Sequence, residues 1–317
     1  MFFTIVWSDS YKKTLFYKFG ELLSAIILAI ILQALSHFLG VWNNGIPLNE
    51  TLPDMTEEFY QGAIRILFSS INVTQALALL ITPFAIWGPL RNNRLTLPIR
   101  LQAINQSAAR ALMVVLELSV DVCKLLNYYF PQKKKKQMLC PNHFWQSIEE
   151  VSKWIGPLHA LAQFSQLMIS ISRFFAVSFE GRYFETALRL PYLQLLIPYL
   201  YCYTYYYLDL LFNEEQLQPW AFLKEQADYF PYFLQLSFDY MVYRKMKMVK
   251  HAGKKVSRAE ALLLIQMVAN SICVIISWYV QTFLQAIVSL YFGPTTYWFI
   301  TNFGATLHMI MFEFGIM

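Results

Sequence analysis

The sequence predicts an all-α membrane protein. Only 14% of its 317 residues are charged while 57% are hydrophobic, and the apolar residues gather into eight stretches. A soluble domain carries roughly 25% charged residues to keep its surface wet. This chain has too few to cover a water-facing shell, and its mean hydropathy of +0.39 agrees. A hydrocarbon core of about 30 Å takes about 20 mostly apolar residues to cross as a helix. The apolar stretches fall at 15–42, 64–90, 101–128, 155–178, 190–212, 229–243, 260–286 and 295–316.

The first stretch contains the run Leu22 to Leu39 and follows Lys12, Lys13 and Lys18, which place its leading end on the cytoplasmic side. It is read as an uncleaved signal anchor rather than a cleaved leader, being long for a signal peptide and lacking an obvious small-residue cleavage site. The second stretch is an ordinary apolar span. The third carries Arg110, Glu117, Asp121 and Lys124, of which 110, 117 and 121 share a helix face. Such a stripe points into a bundle or cavity if the helix spans. Otherwise the helix lies on the membrane surface. The fourth, fifth, seventh and eighth are spans by length. The sixth, Tyr229 to Tyr243, is short and contains Asp239.

Loop charge decides how many segments cross. Arg91, Arg94 and Arg100 lie between the second and third segments. Arg182 and Arg189 lie between the fourth and fifth, with Arg173 at the helix end. Arg244, Lys245, Lys247, Lys250, Lys254, Lys255 and Arg258 lie between the sixth and seventh. All three loops fall on one side if every segment spans, and Lys/Arg excess makes that side cytoplasmic. The loop near 44–63 has Glu50, Asp54, Glu57 and Glu58 and no Lys or Arg. The run Lys133 to Lys136 falls on the other side in this scheme. Dropping the third span would move that run but set it against the larger basic loop at 244–258, so the third span is kept. Asn49-Glu50-Thr51 is a glycosylation sequon in the acidic loop, which makes Asn49 a candidate acceptor on the outer side.

Several chemistries are excluded. The four cysteines and five histidines match no zinc or redox spacing. No phosphate loop, nucleophile elbow or paired-histidine helix occurs, so neither an enzyme, a cofactor nor a metal is expected. The formal charge of +5 needs no nucleic-acid partner, because most of the basic excess borders one span. The lipid bilayer is the expected partner of that loop.

Segments two to eight form a seven-helix set with its leading side outside. Ile171-Ser172-Arg173-Phe174-Phe175-Ala176-Val177 ends the third helix of that set and resembles the asparagine-arginine-phenylalanine string of nematode serpentine receptors, particularly class X. Gln102-Ala103-Ile104-Asn105-Gln106-Ser107 is similar to that family's second-helix entry, and Ser237-Phe238-Asp239-Tyr240 to its fifth-helix exit. Arg258 with Leu264-Ile265-Gln266, and Thr301-Asn302-Phe303 with His308, resemble its sixth and last helices. The resemblance covers about 64–317. It departs at Ser172, where the family has asparagine, in the additional first segment, and in the short stretch after the last helix.

The resemblance implies a seven-transmembrane receptor bundle over 64–317. Residues 1–63 would form a cytoplasmic stub, an additional hydrophobic helix and an extracellular loop. It also implies a multi-pass protein of the plasma membrane, in sensory cilia for a chemoreceptor, that takes a small extracellular ligand and signals to a heterotrimeric G protein. Ser172, Arg173 and Phe174 would then carry coupling, Arg173 as a guanidinium locked to a neighbouring polar group in one state and freed in another. The plainer role for Arg173 is a cationic anchor at the headgroups.

Arg110, Glu117, Asp121 and Asp239 are the intramembrane polar candidates, either as internal switches or as pairs on neighbouring turns. Cys140 and Cys202 both fall on the outer side, where a disulfide could pin the outer loop; separate thiols are the favoured reading. The tyrosines from Tyr199 to Tyr207 read first as an interfacial belt and second as a ligand mouth. A transporter or channel of eight helices is the alternative function. It is favoured by the charged stripe on the third segment and disfavoured by the lack of an internal repeat.

Overall fold

The computed structural model describes residues 15–92, 95–129, 155–178, 189–211, 218–251 and 258–314. Among these it is all-helical, with no strand. The helices are α1 (Leu15–Asn44), α2 (Glu57–Arg91), α3 (Leu97–Tyr129), α4 (Ile155–Val177), α5 (Pro191–Leu211), α6 (Gln218–His251), α7 (Arg258–Tyr291) and α8 (Pro294–Phe314). Each expected segment is a helix. The largest difference is the sixth, expected over 229–243 and found to be 34 residues long. Its ends carry Lys224, Glu225 and the run from Arg244. Those residues dilute the hydropathy but favour helix, so the helix continues past its apolar centre.

Three helices are long and apolar enough to cross a bilayer by length and composition among the described residues: Phe19–Asn43, Glu57–Arg91 and Ile155–Val177. The arrangement of polarity supports membrane association. Ile66, Leu80, Phe84 and Trp87 on α2 are exposed, as are Ile30, Ile31 and Phe38 on α1 and Tyr192 and Leu200 on α5. Gln75, Gln102, Gln106, Gln163, Gln166, Gln235 and Asp239 are buried. A protein in water hides its large apolar side chains and avoids extended apolar patches. In lipid the exterior is apolar and polar groups turn inward to bond across helices.

α2 illustrates how local sequence sets a helix. Thr56, extended at φ −66° and ψ 144°, accepts the Phe59 amide at 3.4 Å on its side chain, satisfying one free donor of the first turn. Glu57 and Glu58 follow at the positive end of the helix dipole and Arg91 closes the negative end. Pro83 and Pro89 lie inside α2, Pro198 inside α5 and Pro231 inside α6. Each removes one rung of its backbone ladder, which packed neighbouring helices make tolerable.

Pairings across the interfaces set the helix directions. Asn105 meets Ser165 and Ile99 packs with Ile169, while Ala109 and Met113 pack with Leu161 and Ala162. α3 and α4 are therefore antiparallel. Ser172 meets Gln194 and Cys202 meets Pro157, so α5 turns back along α4. Gln235 and Asp239 meet Ser271 while the Tyr229 ring lies tilted against Trp278, so α7 reverses α6. One end of the molecule thus gathers Arg91, Arg100, Arg173, Arg189 and Lys245. The other carries the acidic linker between α1 and α2. The described basic residues lie at helix ends that fall together; Arg94, Arg182, Lys254 and Lys255 lie outside the described residues. Lys133 to Lys136 lie outside the described residues.

α2 touches α3, α3 touches α4, α4 touches α6, α6 touches α7, α7 touches α8, and α8 returns to α2; α5 lies against α3 and α4. α1 lies outside this cycle, against α6 and α7. A buried cluster of Ala25, Leu167, Phe174, Phe238 and Val242 joins α1, α4 and α6.

The linker after α1 is tied to the start of α8. Gly293 precedes Pro294 and has no side-chain oxygen for the first amides of that helix. Asp54 supplies one instead. Its carboxylate accepts the Thr295 amide at 2.8 Å, the Thr296 amide at 2.7 Å and the Thr296 hydroxyl at 2.6 Å. The Gly293 amide donates to the Pro53 carbonyl at 3.1 Å. A Cβ on Gly293 would stand 2.5 Å from Asp54 Oδ2, so the close approach of the carboxylate requires glycine there.

Candidate functional site: a buried polar seam

The inner faces of α3, α4, α6 and α7 meet along a seam of amides, hydroxyls and one fully buried carboxylate. On α3 and α4 the pattern repeats at helical spacing. Gln102, Asn105, Gln106 and Arg110 fall on one face of α3, and Gln163, Gln166 and Ser170 on one face of α4. Asn105 donates to Ser165 Oγ at 2.9 Å and Gln106 to Gln166 Oε1 at 3.2 Å. The Tyr199 hydroxyl of α5 donates to Asn105 Oδ1. Gln163 donates to Gln235 Oε1 at 2.9 Å, Gln235 to Ser271 Oγ at 2.9 Å, and Ser271 to Asp239 Oδ2 at 3.1 Å. This chain of side-chain bonds runs from α4 through α6 to α7.

Asp239 is wholly buried. Ser271 donates to its Oδ2 at 3.1 Å, while Oδ1 has no hydrogen-bond partner among the described residues. A carboxylate in an apolar bundle is costly unless donors and a cation answer it. The positive charge of Arg173 on α4 lies within electrostatic reach of Asp239 on α6 near the basic end, so one hydroxyl and one nearby cation answer it in part.

The predicted coupling string divides by orientation. Ser172 is buried and donates to Gln194 Oε1 of α5 at 3.3 Å. Phe174 is wholly buried, its ring 5.0 Å from that of Phe238 at 51°. Arg173 alone of the three is only partly buried. A partner arriving at the basic end could reach Arg173 but not Phe174, which holds α4 to α6.

Arg110 and Glu117 are both buried on α3, and Glu117 accepts the Gln75 amide of α2 at 2.6 Å. The structure does not describe the Asp121 side chain. Cys202 carries a free thiol whose Sγ donates to the Pro157 carbonyl at 2.9 Å, and Cys140 lies outside the described residues. Asn49 is exposed in the acidic linker, its Oδ1 accepting the Thr51 amide at 3.0 Å and hydroxyl at 2.8 Å. In the tyrosine run, Tyr203 is exposed as a belt residue would be. Tyr201 stacks on Phe164 at 3.9 Å and Tyr199 turns to Asn105. Among the described residues no three His, Cys, Asp or Glu side chains gather as metal ligands.

Sequence reasoning named Asp239 and Arg173 but did not join them. It missed Gln163, Gln235 and Ser271 altogether. The available signal was glutamine recurring at 163 and 166 within an otherwise apolar span, because an amide in lipid needs a partner on another helix. No protein-family model matches the chain, and no curated protein matches it.

Proposed function

We propose that the chain is a seven-helix chemosensory receptor of the serpentine type, formed by α2 to α8, with α1 as an additional helix. The observation that carries this reading is the buried carboxylate of Asp239 on α6, with the cation of Arg173 within electrostatic reach at the basic end of α4. The closed cycle of contacts from α2 round to α8 supports it, as does the gathering of the described basic helix ends with Arg173. A small extracellular ligand would enter at the acidic end. Its binding would favour a packing in which α6 separates from α4. Arg173, released from Asp239, would then meet a heterotrimeric G protein among the basic loops. A ligand produces this change only to the extent that it binds the open packing more tightly.

The test is expression of the full chain in a reporter cell with an epitope in each loop. Asp239→Asn removes the charge that holds Arg173 and raises ligand-independent G-protein signalling, whereas Arg173→Ala lowers it. An epitope at 244–258 that is reached from outside the cell ends the receptor reading. The second reading is an eight-helix transporter or channel, favoured by buried Arg110 and Glu117 on α3. Substrate flux in vesicles that Glu117→Gln abolishes would support it.

A further inference from the structure

We infer that α1 is a built-in brace that holds α6 closed against α4, an autoinhibitory contact within the chain. α1 is fastened at three levels. At the basic end the Lys245 ammonium of α6 pairs with the Glu21 carboxylate at 2.5 Å. At mid-height the Tyr279 hydroxyl of α7 donates to the Leu32 carbonyl at 3.0 Å. At the acidic end Asn43, itself buried, donates to Gln285 of α7 at 3.4 Å.

Between these ties, Ala25 and Ala29 are wholly buried, while Ile27, Ile30 and Ile31 face outward. Two alanines one turn apart let the helix backbone approach its neighbours closely. Ala25 belongs to the same buried cluster as Phe174 of α4 and Phe238 and Val242 of α6. Phe174 follows Arg173 and Phe238 precedes Asp239 in sequence, so the brace shares one packed core with the neighbours of both. Separating Asp239 from Arg173 requires α6 to move relative to α4. α1 bears on α6 and α7 and is tied to both, so this motion must break the Glu21–Lys245 pair or carry α1 along.

The inference rests on the receptor reading only for its signalling consequence. The experiment therefore measures position and signalling separately on the full chain. Val177 and Lys247, at the basic ends of α4 and α6, are each replaced by a ketone-bearing amino acid that takes a spin label. Glu21→Lys opposes Lys245 and should move the inter-label distance to longer values, and adding Lys245→Glu should restore it. Ala25→Leu with Ala29→Leu wedges α1 away from its neighbours and should lengthen the distance without touching the ion pair. Basal G-protein signalling should rise up to about fivefold in Glu21→Lys, the population shift that loss of a partly exposed ion pair allows.

Longer distances with unchanged signalling would uphold the brace and count against the receptor reading. Unchanged distances in Glu21→Lys, or a longer distance that Lys245→Glu fails to restore, overturn the brace whatever the signalling does. Glu21→Lys decides between these outcomes even if the alanine variants fail to fold.

Discussion

Asp54 caps a helix that begins some two hundred and forty residues later in the chain, and its ionisation follows from that position. Partial desolvation pulls its pKa upward, but the Thr296 hydroxyl and the Thr295 and Thr296 amides outweigh it and hold the carboxyl well below its ordinary 3.8. A folded-state value below the unfolded one means that the folded protein binds this proton less readily. The stabilisation is therefore fully present above about pH 4 and is lost as pH falls through the folded value. Asp54→Ala should cost about 1 kcal/mol at neutral pH, the usual worth of a capping side chain. The difference from the parent in thermal unfolding should shrink on acidification below 3.8. Ser271 is the other pivotal residue, since it accepts from Gln235 and donates to Asp239. Ser271→Ala breaks the chain of bonds at its centre and should lower stability by about 1 kcal/mol, near the range measured for interhelical bonds in membranes. An unchanged melting temperature in that variant would show that the seam contributes little to stability.

At the scale of elements, α8 depends on the linker between α1 and α2. Gly293→Ala sets a methyl group against Asp54 and should abolish the cap without altering the carboxylate itself. In a double-mutant cycle, Gly293→Ala and Asp54→Ala should be strongly non-additive, because both remove one interaction. Additive losses would mean that the glycine serves another purpose. The α3–α4 interface is as tightly specified. Ala162 is wholly buried in a cluster with Ala109, Met113 and Leu161. Ala162→Leu should overpack it and cost about 1 to 3 kcal/mol, read as a lower midpoint of unfolding in detergent. Existence and order of the helices were legible from apolar runs of bilayer length, because lipid imposes that length on any spanning helix. The ends were less legible. α2 begins at Glu57 rather than near 64 and α6 runs from Gln218 to His251, since helix continues wherever charged residues still favour it.

At the scale of the whole molecule, the described helices expose apolar side chains and bury polar ones, the reverse of a protein in water, and their described ends differ in charge. Cysteines introduced at Glu50 and at Lys247 should be labelled by an impermeant reagent from opposite sides of sealed membranes. Labelling of both from one side would contradict the alternation that the paired contacts establish. Three helices are recognised as spans by composition among the described residues. α3 and α6 carry glutamine, arginine, glutamate or aspartate on their buried faces. Hydropathy averages those faces with the lipid-facing ones, which is why α3 and α6 were the hardest segments to read.

Composition and loop charge determined by themselves that the chain is helical, how its segments are ordered and which turns share an end, because those properties depend on the solvent and on nearby residues. Tertiary structure alone decided which polar residues answer one another: Asp239 with Ser271, Asp54 with the start of α8, and Glu21 with Lys245. Such pairings join residues far apart in the sequence. Their formation depends on helix packing and rotation, which no local pattern encodes.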